Sequence, residues 1–201
     1  MKVVLCVLGL LALTSPALAE ETTRKKGDTS INFSVSRSQI AEYKYGFGGK
    51  YWTSSDIAYS ASFDVSDTTQ ENNDQAGTST SKVDHSYYAL SVAVEKHFPP
   101  SFKLSPYIGG EIKYARFKDT YANTYGTPSS YYYSESLGKQ YGVALLVGAE
   151  YALNRNVSMA GEYAFGYSYG KTKYQSNWTD QKITSRGFDT SVSRLMMLLY
   201  F

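Results

Sequence analysis

The C-terminal stretch SVSRLMMLLYF, residues 191–201, decides the fold class of this chain. Every second residue counted back from Phe201 is apolar as far as Leu195, whereas the other register leads back to Arg194. Side chains at every second position share one face of an extended strand, so this stretch has one apolar face and one face that becomes polar. The pattern predicts a β-strand that separates two unlike environments.

Seven upstream segments repeat this alternation of apolar and polar residues, so the sequence predicts eight strands in all. The upstream strands are predicted at 28–38, 43–52, 56–66, 85–98, 104–118, 137–151 and 157–170. Short connections near 39–42, 53–55, 99–103 and 152–156 contrast with long polar segments at 67–84, 119–136 and 171–186. An even number of strands with this asymmetry of connections predicts an eight-stranded antiparallel up-and-down β-barrel.

The N-terminus has the organisation of a secretory signal peptide. A basic start, an apolar run from Val3 to Leu13 and a small-x-small site at 17–19 predict a peptide that is cleaved after Ala19. The sequence therefore predicts a signal peptide at 1–19, a loose periplasmic leader at 20–27 and a barrel at 28–201. Cys6 is the one cysteine and leaves with the signal peptide, so we expect no disulfide.

Composition narrows the classes of function. A net charge of +2 does not indicate nucleic-acid binding, and two histidines are too few to suggest a structural zinc site, so we expect no cofactor. The chain has 20 Tyr and 16 Gly, a composition that a soluble β-sandwich could share. Membrane barrels also escape hydropathy scales because only one face of each strand is apolar.

The two faces of the predicted strands carry different chemistry. Tyrosines of the apolar face cluster near strand ends, as expected of an aromatic girdle at a membrane interface: Tyr43, Tyr51, Tyr88, Tyr114, Tyr141, Tyr151, Tyr167 and Tyr169. Charged residues of the other face would lie in the barrel interior: Lys44, Glu95, Glu111, Lys113, Glu150, Glu162 and Arg194. Because buried charges require partners, we expect one salt-bridge cluster of Arg194, Lys113, Glu111, Glu150 and Glu162 that closes the lumen.

These features resemble those of the small eight-stranded outer-membrane barrels of the OmpX, Ail and opacity type, and of the transmembrane part of OmpA. The resemblance implies an integral protein of the bacterial outer membrane with periplasmic turns and extracellular loops. It also implies that the assembly machinery reads the C-terminal residues Leu199 and Phe201, with Met197 at the position equivalent to a leucine. Outer-membrane lipid and lipopolysaccharide are the expected surroundings.

The long polar segments are the predicted binding regions. Segment 67–84 has four acidic residues against one lysine, and segment 171–186 has four basic residues against one aspartate. These opposite charges could bind the segments to each other, to lipopolysaccharide phosphates or to an external partner. Candidate binding residues are Tyr131, Tyr132, Tyr133, Lys171, Lys173 and Trp178.

The resemblance implies a surface protein for adhesion, host interaction or envelope integrity that acts through these loops. A narrow passive channel is the first alternative and a lipid-modifying enzyme the second. For the enzyme, His85 stands next to Asp84 and Ser86, but adjacent strand residues point to opposite faces. We therefore expect no enzymatic activity.

Overall fold

The computed structural model describes residues 24–37, 43–73, 79–125 and 131–201. Eight strands are present: β1 (Thr29–Arg37), β2 (Tyr43–Trp52), β3 (Ile57–Asn73), β4 (Ser79–His97), β5 (Leu104–Tyr125), β6 (Tyr131–Ala152), β7 (Val157–Ser176) and β8 (Asp180–Tyr200). No helix in these ranges is long and apolar enough to cross a membrane. The predicted signal peptide, the start of the leader and the connection at 39–42 lie outside the described residues.

The strands form one closed antiparallel barrel in sequence order. Each strand pairs with its neighbours, and β1 also pairs with β8 from Ser30 opposite Tyr200 to Arg37 opposite Ser193. This seam satisfies the backbone groups of both terminal strands, which an open sheet would leave exposed. The predicted eight-stranded up-and-down barrel is confirmed.

Burial alternates along the strands as the sequence predicted. In β1, Phe33 and Val35 point outward and are 45% and 42% exposed, whereas Asn32 and Ser34 point into the lumen and are 4% and 6% exposed. The same alternation places valine, leucine, isoleucine and phenylalanine side chains on the outside of the other strands. The apolar residues therefore cover the outer surface of the barrel and the polar residues fill its interior.

The described residues of the three long polar segments are mostly strand, so the predicted bounds of these connections are wrong. Strands β3 and β4 continue through 67–73 and 79–84, β5 and β6 through 119–125 and 131–136, and β7 and β8 through 171–176 and 180–186. We name these three extensions the hairpins. Ladder hydrogen bonds form between backbones whatever the side chains are, so a strand beyond the hydrocarbon needs no apolar face.

The last strand is also longer than its predicted range of 191–201. It begins at Asp180, and its register against β7 shifts by one residue between Ala164 and Gly166. An extra residue in one strand reverses which side chains face outward beyond it. The apolar alternation of the last eleven residues therefore cannot be followed through this bulge, although the strand continues.

Candidate functional sites in the lumen and on the hairpins

The lumen contains an ionic cluster nearer the hairpins, which we name the upper cluster. Arg194 of β8 is its centre. Its Nη1 lies 2.9 Å from Glu162 Oε1 and 3.2 Å from Glu111 Oε2. Tyr107 donates its hydroxyl to the other oxygen of Glu162 at 3.1 Å. The side chains of Arg194, Glu111 and Glu162 are each less than a tenth exposed, so these charges compensate one another away from water.

The upper cluster continues toward the hairpins through Asp64. Lys113 Nζ lies 3.1 Å from Asp64 Oδ2, which is also 3.9 Å from Arg194 Nη2. Lys44 Nζ lies 3.6 Å from the ring centroid of Tyr87. Lys44, Tyr87, Lys113 and Arg194 line a cavity of about 440 Å³ in this part of the lumen.

A second, lower ionic cluster surrounds Lys50 of β2. Lys50 Nζ lies 2.7 Å from Glu95 Oε2 and 3.4 Å from Glu150 Oε2. His97 Nε2 lies 3.1 Å from Glu95, and Tyr200 donates its hydroxyl to Glu150 at 2.8 Å. The expected single cluster is therefore two, and Glu150 belongs with Lys50 because it lies near the end of β6 that carries the short turn.

Aromatic rings fill the lumen around the lower cluster. The ring of His97 lies 4.4 Å from that of Trp52 and 4.8 Å from that of Tyr107, measured between centroids. Gly148 accommodates Tyr107, since a Cβ at Gly148 would lie 2.4 Å from Cζ of that ring and 2.8 Å from the carbonyl oxygen of Gly161. Rings and ion pairs from several strands therefore meet at this level of the lumen.

Arg24, which precedes β1, contacts the lower cluster at the end of the barrel that carries the short turns. Its Nη2 lies 3.4 Å from Glu150 Oε1 and donates to the Ser158 hydroxyl, and its guanidinium carbon lies 3.4 Å from the ring centroid of Tyr200. The backbone N–H of Gly27 donates to the carbonyl of Trp52 at 2.8 Å. The described part of the expected loose leader is therefore bound to the barrel, because Arg24 supplies a cation to the lower cluster.

Sequence reasoning missed several members of the two clusters as site residues. Lys50 and Asp64 stood on the polar face but were not selected. His97 has the same strand register as Glu95, and Tyr107 the same register as Glu111, so the alternation itself could have identified both. Arg24 carried no such signal because it precedes the first strand.

The eight predicted girdle tyrosines all point outward and are exposed or half-buried. Tyr51 and Tyr151 lie toward the short turns. Tyr114 and Tyr141 face each other across β5 and β6 toward the hairpins, with ring centroids 5.1 Å apart. Tyrosine rings therefore mark both ends of the outward apolar surface, as expected at two membrane interfaces.

The hairpins separate the predicted binding residues onto two faces. Tyr132 lies on the face that continues the lumen, where its hydroxyl is 2.6 Å from that of Tyr174 and its ring is 5.5 Å from that of Trp178. Tyr121 packs against the ring of Tyr132, with the two ring centroids 5.8 Å apart. We name Tyr121, Tyr132, Tyr174 and Trp178 the aromatic cluster.

The opposite face of the hairpins carries Tyr131, Tyr133, Lys171 and Lys173. Tyr133 donates its hydroxyl to Glu135 at 3.0 Å, and Lys118 Nζ lies 3.0 Å from the same carboxylate. The hydrogen bond from Lys118 is the main reason that the pKa of Glu135 lies below its usual value. The six candidate residues therefore do not form one site.

The three residues weighed for catalysis do not come together. His85 Nδ1 contacts Asp119 of β5, Ser86 donates to Asp67 at 3.2 Å, and Asp84 accepts from Thr69 at 2.8 Å. Each therefore has a partner on a neighbouring strand. In the described ranges no group of three or more His, Cys, Asp or Glu residues is placed to hold a metal ion.

Comparison with known proteins agrees with this architecture. Residues 5–193 match the family described as an outer membrane protein beta-barrel domain. A major outer membrane protein from Thermus thermophilus has 15% identity and a TM-score of 0.54, and the match covers 87% of this chain and 99% of that chain. CarO2 from Acinetobacter baumannii has 11% identity and a TM-score of 0.51, with 89% and 100% covered.

At these identities the two structures show a shared fold, and no curated protein matches the sequence. The family match spans most of the chain, from before β1 into β8. The chain therefore belongs to the outer-membrane β-barrel family and is an integral protein of the bacterial outer membrane.

Proposed function

We propose that this protein is a surface-recognition barrel, in which the hairpins face the outside of the cell and bind an external partner, as in adhesion or host interaction. The short turns at 53–56, 98–103 and 153–156 would then face the periplasm, the usual arrangement in small outer-membrane barrels. Met197, Leu199 and Phe201 would be the residues that the assembly machinery reads.

The length of the hairpins is the observation that carries this proposal. Strand β5 has 22 residues, about twice the 9–11 that a strand needs to cross a bilayer. From the girdle residue Tyr114 to Tyr125 the strand rises by roughly 35 Å along its own axis. Such an extension, polar on both faces, is a platform beyond the membrane rather than part of the span.

The aromatic cluster is the part of that platform best suited to recognition. Trp178 is 76% exposed although its ring packs on Tyr132. Exposed aromatic rings that neighbouring side chains hold in place lose little entropy on binding and are enriched among residues that dominate interface energy. We therefore place the contact with the partner at Trp178 and Tyr132.

The lumen geometry disfavours the channel alternative. Ions crossing the barrel would have to pass the Arg194 cluster and then the stack of Trp52, His97 and Tyr107. At both levels charged and aromatic side chains from several strands point into the lumen, as expected of an eight-stranded interior. We propose that the barrel does not conduct, and single-channel recording in planar bilayers tests this separately.

We likewise propose no catalytic activity. His85 is held by Asp119 and has Ser86 on the opposite face of its own strand. A nucleophile, its base and an orienting acid must lie within hydrogen-bond reach of one another. Comparing membrane lipids from cells with and without the protein would reveal any lipid-modifying activity that contradicts this.

The recognition proposal is tested by shortening each hairpin on a barrel that still inserts. Thr69 pairs with Asp84, Thr120 with Glu135 and Lys171 with Thr184, so the residues between each pair can be replaced by an Asn-Gly turn without changing the register. Cells that express each variant are scored for attachment to cultured cells and to matrix-coated surfaces.

We expect the variants shortened in β5–β6 and in β7–β8 to lose attachment, because each removes part of the aromatic cluster. The variant shortened in β3–β4 is the matched control. Heat-modifiable migration in detergent verifies that each barrel is folded. Attachment that survives removal of all three hairpins would contradict the proposal.

A further inference from the structure

Seven cations of the four longest strands point outward at the girdle or just beyond it on the hairpin side. All seven are exposed, and we name them the basic patch: Arg116, Lys118, Lys139, Lys171, Lys173, Lys182 and Arg186. The lumen clusters do not include them, and the aromatic cluster lies on the other face of the hairpins.

Strand register brings these cations directly opposite one another. Arg116 pairs with Lys139, which in turn pairs with Lys171, so three neighbouring strands present a continuous row of positive charge. In the next row Lys173 pairs with Lys182. Like charges at directly opposed positions of a sheet destabilise the pairing, so an isolated barrel would be more stable without these rows.

Few carboxylates offset this charge. On the same face of the four strands beyond the girdle, Glu135 lies 3.0 Å from Lys118, and Asp180 accepts from Gln175. No ion pair within the described ranges joins Lys139, Lys171, Lys173, Lys182 or Arg186 to an acidic side chain. The contacts of Lys171 and Arg186 are instead with the ring of Tyr169, at 5.7 and 5.4 Å.

The position of the patch indicates what its counter-ion is. Tyr114, Tyr141 and Tyr169 form a row across β5, β6 and β7, and Arg116, Lys139 and Lys171 form the next outward-facing row of the same strands. Tyrosine rings lie at the headgroup level of a membrane. Cations one row further out are therefore at the depth of lipid phosphates, on a surface that faces lipid and not the lumen.

We propose that the basic patch binds the phosphate groups of lipopolysaccharide in the surrounding outer leaflet. The proposal rests on the orientation given under Proposed function, which places the hairpins outside the cell. Several phosphates on one rigid glycolipid would bridge the opposed cations of both rows and offset their mutual repulsion. The patch is thus a lipid-binding site separate from the recognition surface.

The test compares two double variants that remove the same charge. Lys139→Gln/Lys171→Gln removes the centre of the patch, whereas Lys96→Gln/Lys103→Gln removes two lysines near the short turns at the other end of the barrel. Full-length proteins refolded in zwitterionic detergent are titrated with purified lipopolysaccharide. Heat-modifiable migration shows that both variants fold.

We expect the patch variant to bind lipopolysaccharide about 30-fold more weakly than wild type. Each of the two removed lysines is expected to contribute the binding free energy usual for a lysine near an anionic surface. The control variant is expected to bind as wild type does. Without lipid, the patch variant is expected to unfold at an equal or higher temperature than wild type because opposed charges have been removed. Equal binding by both variants would overturn the proposal.

Two further titrations identify the group that is recognised. Dephosphorylated lipopolysaccharide should bind wild type no better than it binds the patch variant, and equal binding before and after dephosphorylation would overturn the role of phosphate. Vesicles of phosphatidylglycerol should bind more weakly than lipopolysaccharide. Equal or tighter binding there would overturn the glycolipid as occupant and count against the orientation, while leaving recognition by the aromatic cluster to its own test.

Discussion

In the lumen, Arg194 lies 2.9 Å from Glu162 and its side chain is 8% exposed, whereas on the hairpins Lys118 lies 3.0 Å from Glu135 and its side chain is 50% exposed. The two ion pairs have nearly the same geometry and the strands that carry them belong to one continuous sheet. Their energetic roles differ because water screens the second pair and not the first. Distance alone therefore does not indicate how much an ion pair matters to this barrel.

The same contrast holds for whole regions of the molecule. Between the two tyrosine levels, outward residues are apolar and the lumen must satisfy every charge internally. On the hairpins both faces meet water, so neither face requires apolar residues, while the backbone ladder continues unchanged. The membrane thus determines the side-chain pattern of the span, and the hairpins are free to carry residues for binding.

The largest predicted effect is in the lumen. Arg194→Met removes the shared cation of Glu111 and Glu162 and leaves two buried carboxylates without it, so we expect a loss of about 3–5 kcal/mol in the free energy of unfolding. Denaturant unfolding in lipid vesicles measures this change. The variant Arg194→Met/Glu111→Gln/Glu162→Gln removes all three charges and should recover most of the loss. No destabilisation by the single change would contradict the role of the cluster.

A charge placed on the outer surface distinguishes the two regions within one strand. Leu145→Arg puts a cation at the middle of the outward apolar surface of β6, and we expect it to destabilise the barrel by about 2–4 kcal/mol. Tyr131→Arg is the matched change on the outward face of the hairpin, where we expect little effect on the same unfolding measurement. Equal losses would mean that the two positions do not differ in their surroundings.

Filling the space above one glycine tests the packing of the lower cluster. Gly148→Val would push a side chain into the ring of Tyr107 and toward the backbone of Gly161, and we expect a loss of about 1–3 kcal/mol. Gly187→Val in β8, just outside the hairpin, is the control, because a Cβ there meets nothing within 4 Å. If both changes have the same effect on unfolding, Tyr107 does not fill the lumen as described.

The smallest effect is expected at the hairpin ion pair. The pKa of Glu135 lies below its usual value in the folded protein, so its stabilising contribution is present above that usual value and is lost as pH falls through the lowered one. Lys118→Gln should raise the midpoint of Glu135 in an NMR titration toward the usual value without a measurable change in unfolding. An unchanged midpoint would show that Lys118 is not the cause.

The sequence predicted the membrane-spanning part of each strand, but it did not predict that the strands continue into the hairpins. Alternation identified all eight strands and the lumen charges Arg194, Glu111 and Glu162, because lipid imposes a period of two on every strand that crosses it. It could not show that 119–136 is largely strand, since no apolar face marks that stretch. It also could not divide the charges into two clusters, because strand tilt and register decide which side chains meet across the lumen.

A cysteine scan along β6 tests the central claim most directly, since Cys6 in the predicted signal peptide is the one native cysteine. A nitroxide is placed at each position from 131 to 149, and its collisions with oxygen and with an aqueous nickel reagent are compared in lipid vesicles. We expect odd positions from 141 to 149 to meet lipid while even ones are shielded, and odd positions from 131 to 139 to meet water. Lipid exposure continuing to 131, or no alternation between 141 and 149, would contradict the central claim.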